Sequence, residues 1–202
     1  MRTLYVTVVA AALSATMVAA QGTMAQGMAK DKMAPMMSMP MMGEKAKDFT
    51  LAHLDGSKVS LSQLEKNGPV VLLMLRGWVG YQCPFCTKQV GDFITHAKEF
   101  EAAGANVLLV YPGAADMVPV KASDFVAGKT MPSNFHFVTD PDLKTVNLYN
   151  LRWNAPNETA YPSTFVIDKT GMIKFAKISK EHGDRTTATD VLAELAKLKK
   201  MM

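Results

Sequence analysis

Residues 69–86 read PVVLLMLRGWVGYQCPFC, and this stretch decides the fold. Its first seven residues, PVVLLML, are apolar without interruption, which is typical of a strand buried on both faces of a sheet. Its last four, Cys83-Pro84-Phe85-Cys86, begin a helix, because proline is favoured in the first helical turn and apolar residues then recur at helical spacing. The stretch therefore predicts a central strand followed by two cysteines at the N-terminus of a helix.

Strand and helix patterns alternate on both sides of this stretch. Asp55-Gly56 is a strong turn signal between two short strand patterns, and residues 169–171 connect two more near the C-terminus. The predicted strands lie at residues 49–51, 58–61, 69–75, 106–111, 135–139, 163–168 and 172–178, and the predicted helices at 84–102, 118–127, 143–151 and 187–199. This order predicts an α/β fold of three layers with a central mixed sheet and an N-terminal hairpin.

The N-terminus has the pattern of an export signal. Arg2 precedes an apolar stretch over residues 4–20, and small residues at signal-like spacing follow it. We therefore expect a signal peptide over residues 1–25 and a mature protein that works in the periplasm. An uncleaved membrane anchor is the alternative, because about 17 apolar residues can just span a thin bilayer.

Methionine is concentrated in the segment that follows. It occurs 16 times in the chain, and 8 of these residues lie between Met24 and Met42. No helical or strand period survives Pro35 and Pro40, so residues 26–42 are predicted to be a flexible tether before a domain over residues 43–202. Three interpretations stay open: a low-complexity linker, capture of Cu(I) by soft thioethers, and scavenging of oxidants through methionine sulfoxide.

Composition supports one folded domain and excludes several classes of protein. Apolar residues make up 49% of the 202 and charged residues 20%, which allows a real core and excludes a disordered chain. The net charge of +4 is too mild and too spread out to predict a nucleic-acid partner. Two cysteines cannot form a four-cysteine zinc site, and the four histidines lack ligand spacing, so we expect no metal and no other cofactor.

Cys83 and Cys86 are the predicted catalytic residues. A thiol at a helix N-terminus meets the positive end of the helix dipole, which lowers its pKa below the ordinary value of about 8.5. Cys86 lies one turn further along the same helix, from where it can attack a mixed disulfide or a sulfenic acid formed on Cys83. A purely structural disulfide closing so small a ring would add little stability. The spacing predicts thiol redox chemistry with Cys83 as nucleophile and Cys86 as resolving thiol.

A proline precedes the last core strand, in Tyr161-Pro162-Ser163-Thr164. Proline at the start of such a strand is unfavourable unless the backbone needs it. A cis bond at Pro162 would present a backbone N–H and C=O beside the cysteines, ready to pair with a bound thiol or peptide. We therefore predict a cis Pro162 that shapes a substrate groove, and a trans turn proline is the alternative.

Four motifs follow one another in a specific order. They are GEKAKDFTL at residues 43–51, DGSKVSLSQL at 55–64, the strand leading to CPFC at 83–86, and PSTFVID at 162–168. Together they resemble the alkyl hydroperoxide reductase and thiol-specific antioxidant family, the redoxin branch of the thioredoxin fold, over residues 43–198. The resemblance implies a thioredoxin-like fold and a thiol-based antioxidant oxidoreductase that takes a peroxide or a protein disulfide as substrate and electrons from a thiol donor.

The substrate depends on where the chain departs from the family pattern. Arg76 and Gly80 stand where the family's peroxide-binding proline and serine or threonine are expected, and Pro162 stands where its arginine is expected. Arg76 or Arg152 could still supply a cation to the thiolate. The residues expected to orient the substrate are Arg76, Tyr81, Pro162 and Thr164. Peroxide reduction is the first prediction, with two alternatives: a periplasmic disulfide reductase, and a copper-binding module built from the dithiol and the Met-rich tether.

Overall fold

The structure, a computed structural model, describes residues 38–200 of the chain. The predicted signal peptide and most of the predicted tether lie outside the described residues. Within them, every helix is too short or too polar to cross a membrane. Two residues near the end of the predicted tether pack against the domain, because Met39 contacts the core cluster under the sheet and Pro40 is buried, whereas Met41 and Met42 are exposed.

Between residues 38 and 200 the chain forms seven strands and six helices. The strands are β1 (Thr50–Ala52), β2 (Lys58–Ser60), β3 (Val70–Met74), β4 (Asn106–Gly113), β5 (Phe135–Pro141), β6 (Ser163–Ile167) and β7 (Ile173–Ile178). The helices are α1 (Leu61–Asn67), α2 (Pro84–Thr95), α3 (Ala97–Ala102), α4 (Val118–Val126), α5 (Lys144–Leu148) and α6 (Ala188–Lys200).

The strands form one mixed sheet in the order β2-β1-β5-β4-β3-β6-β7. The three inner strands β3, β4 and β5 are parallel, whereas β6 pairs antiparallel with β3, and β7 with β6. At the other edge β1 pairs antiparallel with both β2 and β5, so the N-terminal hairpin extends the sheet. The predicted α/β fold, the mixed sheet and the N-terminal hairpin are confirmed.

The sheet separates two hydrophobic cores, which gives the three layers. Alternate residues of β3 point to opposite faces, so that Val71 and Leu73 join the core under α2, α3, α4 and α6, while Leu72 and Met74 join the core under α1 and α5. Both cysteines belong to the first core. The apolar run of β3 is uninterrupted because both faces of this strand are buried.

The predicted helix over residues 84–102 is wrong in one respect, because it is two helices that meet at His96. The Thr95 hydroxyl bonds the Gly91 carbonyl, and His96 Nδ1 lies 2.8 Å from the Asp92 carbonyl oxygen. Side chains that bond the carbonyls of the preceding turn compete with the backbone and favour a helix end. The break makes α2 a separate helix, and the dithiol lies at its N-terminus.

Candidate active site

The dithiol lies where the loop after β3 enters α2. Cys83 is the N-cap of α2 with an extended backbone, Pro84 begins the helix, and Cys86 lies in the first turn. Both cysteines are free thiols, and they are only 2% and 1% exposed. The sequence prediction of two cysteines at the N-terminus of a helix behind a central strand is confirmed.

Gly77 directs the chain from β3 to the dithiol. Its φ is +69°, and a Cβ atom there would lie 1.9 Å from the Pro112 carbonyl oxygen. The next residue, Trp78, donates its backbone N–H to that same oxygen at 3.0 Å. Only glycine fits both the positive φ and this close approach, so the loop passes directly over the end of β4 before it reaches Cys83.

The environment of Cys83 favours the thiolate. The Cys86 thiol donates a hydrogen bond to the Cys83 sulfur, the Cys86 backbone N–H donates another, and the Arg185 guanidinium supplies positive charge. These effects outweigh burial and lower the pKa of Cys83 to about 5. Burial raises the pKa of Cys86 well above its ordinary value. The opposite directions of the two shifts agree with the predicted nucleophile and resolving thiol, since only a thiolate attacks.

This electrostatic arrangement predicts the pH dependence of alkylation. We expect the rate at which iodoacetamide modifies Cys83 to be constant at neutral pH and to fall as pH decreases through about 5. The sign follows from the lowered pKa, because the reactive thiolate is present above the pKa and is protonated below it. Quenched reactions followed by peptide mass spectrometry measure the rate at Cys83 alone. A midpoint near the ordinary value of about 8.5 would contradict the thiolate assignment.

Arg185 is the cation that faces the thiolate. Its Nη2 lies 3.6 Å from Cys83 Sγ, Nη1 donates to Gln89 Oε1 at 3.1 Å, and Nε donates to the His182 carbonyl oxygen at 2.7 Å. Each nitrogen of the guanidinium therefore has its own acceptor. Arg185 could not be found from the sequence, because it lies 102 residues after Cys83 in the loop between β7 and α6, where a single basic residue forms no pattern.

Arg76 was predicted to orient the substrate, and it lies beside the site as a buried ion pair. Its side chain is 2% exposed and binds Glu158 through two bonds, Nε to Oε2 at 2.5 Å and Nη2 to Oε1 at 3.0 Å. The third nitrogen, Nη1, donates to the Tyr81 hydroxyl at 2.8 Å. Arg76 lowers the pKa of Cys83 less than Arg185 does. Its guanidinium is thus committed to protein acceptors.

Three other residues predicted to orient the substrate or to supply a cation differ in how far they are buried and in what they contact. Tyr81 is 48% exposed at the rim of the dithiol loop. Thr164 is buried, and its hydroxyl lies 2.8 Å from that of Thr186, whose carbonyl accepts a bond from Gln89. Thr164 therefore supports Thr186, which in turn holds the Gln89 side chain that binds Arg185, and the contacts of Thr164 are with the protein. Arg152 does not reach the thiolate, because its Nη1 donates to carbonyl oxygens of the loop over residues 153–159.

The prediction of a cis bond at Pro162 is wrong. Between residues 38 and 200 every peptide bond is trans. The Tyr161 N–H donates to the Leu151 carbonyl at 2.9 Å, and the Pro162 carbonyl accepts from Ser179 at 2.9 Å. Leu151 and Ser179 thus bind the backbone of residues 161–162 in an extended conformation. The chain therefore enters β6 without a turn at Pro162. The proposed groove with free backbone groups at this position is therefore absent from the described residues.

A match to a family model covers the dithiol and most of the sheet. The model of the AhpC/TSA family matches residues 42–176, which is more than half of the chain. The chain belongs to the AhpC/TSA family. This confirms the resemblance seen in the four sequence motifs, and it makes the protein a thiol-dependent oxidoreductase of the peroxiredoxin type. His182 and Arg185 lie beyond the matched residues.

Relatives and solved structures similar to this chain include proteins named as peroxiredoxins. A protein named "Putative peroxiredoxin" from Mycobacterium tuberculosis is 31% identical over 146 residues, which cover 67% of this chain and 83% of the relative. The crystal structure of Peroxidoxin BcpB from Mycobacterium tuberculosis matches with a TM-score of 0.64 at 23% identity, over 78% of this chain and 97% of that one.

A structure with a different name has a similar backbone. A "putative Thiol:disulfide interchange protein DsbE" from Chlorobium tepidum matches with a TM-score of 0.57 at 24% identity, over 77% of this chain and 98% of that one. At such identity each of these structures shows the shared thioredoxin-like fold, and the substrate has to be argued from the site itself.

Proposed function

We propose that this member of the AhpC/TSA family reduces hydroperoxides, with Cys83 as the attacking thiolate and Cys86 as the resolving thiol. One observation carries the proposal: the Cys83 sulfur is held as a thiolate beside Arg185, yet the residue is only 2% exposed. A protein disulfide has to bring its own backbone against the sulfur, whereas a hydroperoxide presents only two oxygen atoms. Burial therefore favours the small oxidant over the disulfide of another protein.

The reaction has one oxidation by the peroxide, one condensation that releases water, and one reduction by a thiol donor. The Cys83 thiolate attacks the outer oxygen of the hydroperoxide, the O–O bond breaks, and the sulfur becomes a sulfenic acid while the leaving alkoxide takes a proton from water. The Cys86 sulfur then attacks the Cys83 sulfur, and its proton leaves with the hydroxyl group as water. A thiol donor supplies two electrons and two protons to restore the dithiol.

Arg185 has two tasks in this scheme. Before the reaction it stabilises the negative charge on Cys83 from a distance of 3.6 Å. During the attack, negative charge moves from sulfur to the departing oxygen, and a guanidinium already fixed by Gln89 and His182 can stabilise that charge without reorganising. Arg185 thus takes over the task that the family assigns to an arginine at the position of Pro162.

The test compares the two oxidants on the reduced protein. Stopped-flow mixing with hydrogen peroxide should remove two thiols per protein about 30-fold faster, or more, than free cysteine reacts at pH 7. The thiolate fraction is larger by about that factor. Arg185 stabilises the departing oxygen, which compensates for the weaker intrinsic nucleophilicity of a thiolate of low pKa. The disulfides of insulin should oxidise the two protein thiols more slowly than hydrogen peroxide does. A peroxide rate like that of free cysteine, together with rapid oxidation by insulin, would favour the disulfide reductase instead.

We also propose that the protein works in the periplasm after export. The apolar stretch over residues 4–20 and the small residues behind it support this location. In a Gram-negative host, osmotic-shock fractionation should release the protein without residues 1–25. Retention with the cytoplasmic markers would contradict the proposal, and retention with the membranes at full length would favour the uncleaved anchor.

A further inference from the structure

His182 connects two charged groups on either side of the site. Its Nε2 lies 2.8 Å from Glu158 Oε1, and its backbone carbonyl accepts the Nε–H of Arg185 at 2.7 Å. Glu158 is itself fixed by the buried guanidinium of Arg76. Burial alone would raise the pKa of Glu158, but hydrogen bonds from Arg76 and His182 outweigh it and lower the pKa, so the carboxylate is charged where His182 meets it.

Two aromatic side chains also contact the ring of His182, which is half-buried. Its centroid lies 5.1 Å from that of Trp153 and 6.4 Å from that of Phe85, the residue between Pro84 and Cys86. The following residue, Gly183, passes so close to the Phe85 ring that an added Cβ would lie 3.4 Å from it. The loop that carries Arg185 therefore packs directly on the first turn of α2, and His182 is its anchor.

We propose that His182 is a positioning residue for Arg185: by binding Glu158 it holds the loop so that the guanidinium stays against the Cys83 thiolate. The inference rests on the proposed function only for its consequence in turnover, because the ionisation of Cys83 can be measured without a peroxide. His182 touches neither sulfur in the described contacts and acts through the Arg185 bond to its carbonyl.

The expected effect is partial, because Arg185 has a second support. Gln89 accepts from Nη1, and Gln89 in turn donates to the Thr186 carbonyl. Removing the imidazole leaves this support and the His182 carbonyl in place but frees the loop from Glu158. A nearby cation typically shifts a pKa by about 1–3 units, so we expect Arg185→Met to raise the alkylation midpoint of Cys83 by about one unit or more, and His182→Ala by roughly half as much.

The experiment measures the pH profile of Cys83 alkylation in the full chain. His182→Ala should shift the midpoint upward and slow the reaction with hydrogen peroxide. His182→Gln should restore most of the wild-type midpoint, because its amide N–H can still donate to Glu158. His53→Ala is the matched control, since His53 lies on the far edge of the sheet against the Phe137 carbonyl, and it should leave the profile unchanged.

A double variant decides whether the effect passes through Arg185. In an Arg185→Met background, His182→Ala should change the alkylation midpoint no further, because the group that it positions is gone. An equal shift in both backgrounds, or an unchanged midpoint in folded His182→Ala, would overturn the proposal. If the midpoints move as expected but no variant or wild-type protein reduces peroxide, then the peroxidase function fails and the positioning role stands.

Discussion

Replacing Cys83 with serine is expected to slow peroxide-dependent thiol loss by about 100-fold or more at pH 7. The remaining thiol, Cys86, has its pKa raised well above the ordinary value by burial, so that less than about 1% of it is ionised at neutral pH. Wild-type Cys83, with its pKa lowered to about 5, is almost fully ionised there. The smaller thiolate population and the loss of the sulfur that faces Arg185 together account for the expected loss.

The matched variant Cys86→Ser should keep the first step. A serine hydroxyl can replace the thiol that donates to the Cys83 sulfur, so the attack should slow by only a few fold, and one thiol should be consumed for each peroxide. Dimedone should then trap a sulfenic acid on Cys83, detected by mass spectrometry. If Cys83→Ser keeps the rapid reaction and Cys86→Ser loses it, the two roles are reversed.

Replacing Arg76 with methionine is expected to destabilise the fold by about 3 kcal/mol, the low end for breaking a buried ion pair, because the Glu158 carboxylate loses its charged partner and keeps only His182. The Arg76 and Glu158 side chains are only 2% and 9% exposed. For a domain of this size the melting temperature should fall by about 2–4 °C per kcal/mol, which is measurable by circular dichroism.

Lys197→Met provides the control for lost charge alone. Lys197 binds Glu194 on α6, but its side chain is 67% exposed, and exposed pairs contribute only about 0–1 kcal/mol. Its melting temperature should stay close to that of the wild type. If Arg76→Met melts as Lys197→Met does, then Glu158 finds water or another partner, and the Arg76 pair is not a structural requirement.

The central strand and the dithiol were predictable from sequence because their physical causes are local. A run of apolar residues needs two covered faces, and Cys83-Pro84-Phe85-Cys86 carries its own helix start. The short helix α1 was missed, although its signal is present: Ser60 and Gln63 form a capping box in which each side chain binds the other's backbone.

The surroundings of the thiolate could not be predicted, because they depend on tertiary contacts between distant segments. Arg185 and His182 come from a loop near the C-terminus, and Glu158 comes from the segment before β6. Arg152 was also a candidate in the sequence for the cation beside the thiolate, yet its guanidinium binds carbonyl oxygens of its own loop. The cis Pro162 prediction failed for the same reason, since the backbone partners from Leu151 and Ser179 are invisible in the sequence.

The place of β3 in the sheet makes an incomplete chain prone to aggregation. β3 pairs on one side with β4, which emerges soon after it, and on the other side with β6, whose first residue is Ser163. Until β6 pairs with it, one edge of an entirely apolar strand stays open, and such an edge readily pairs with another chain. The last fifth of the chain therefore protects the folding protein from aggregation, and a product truncated before β6 should be insoluble.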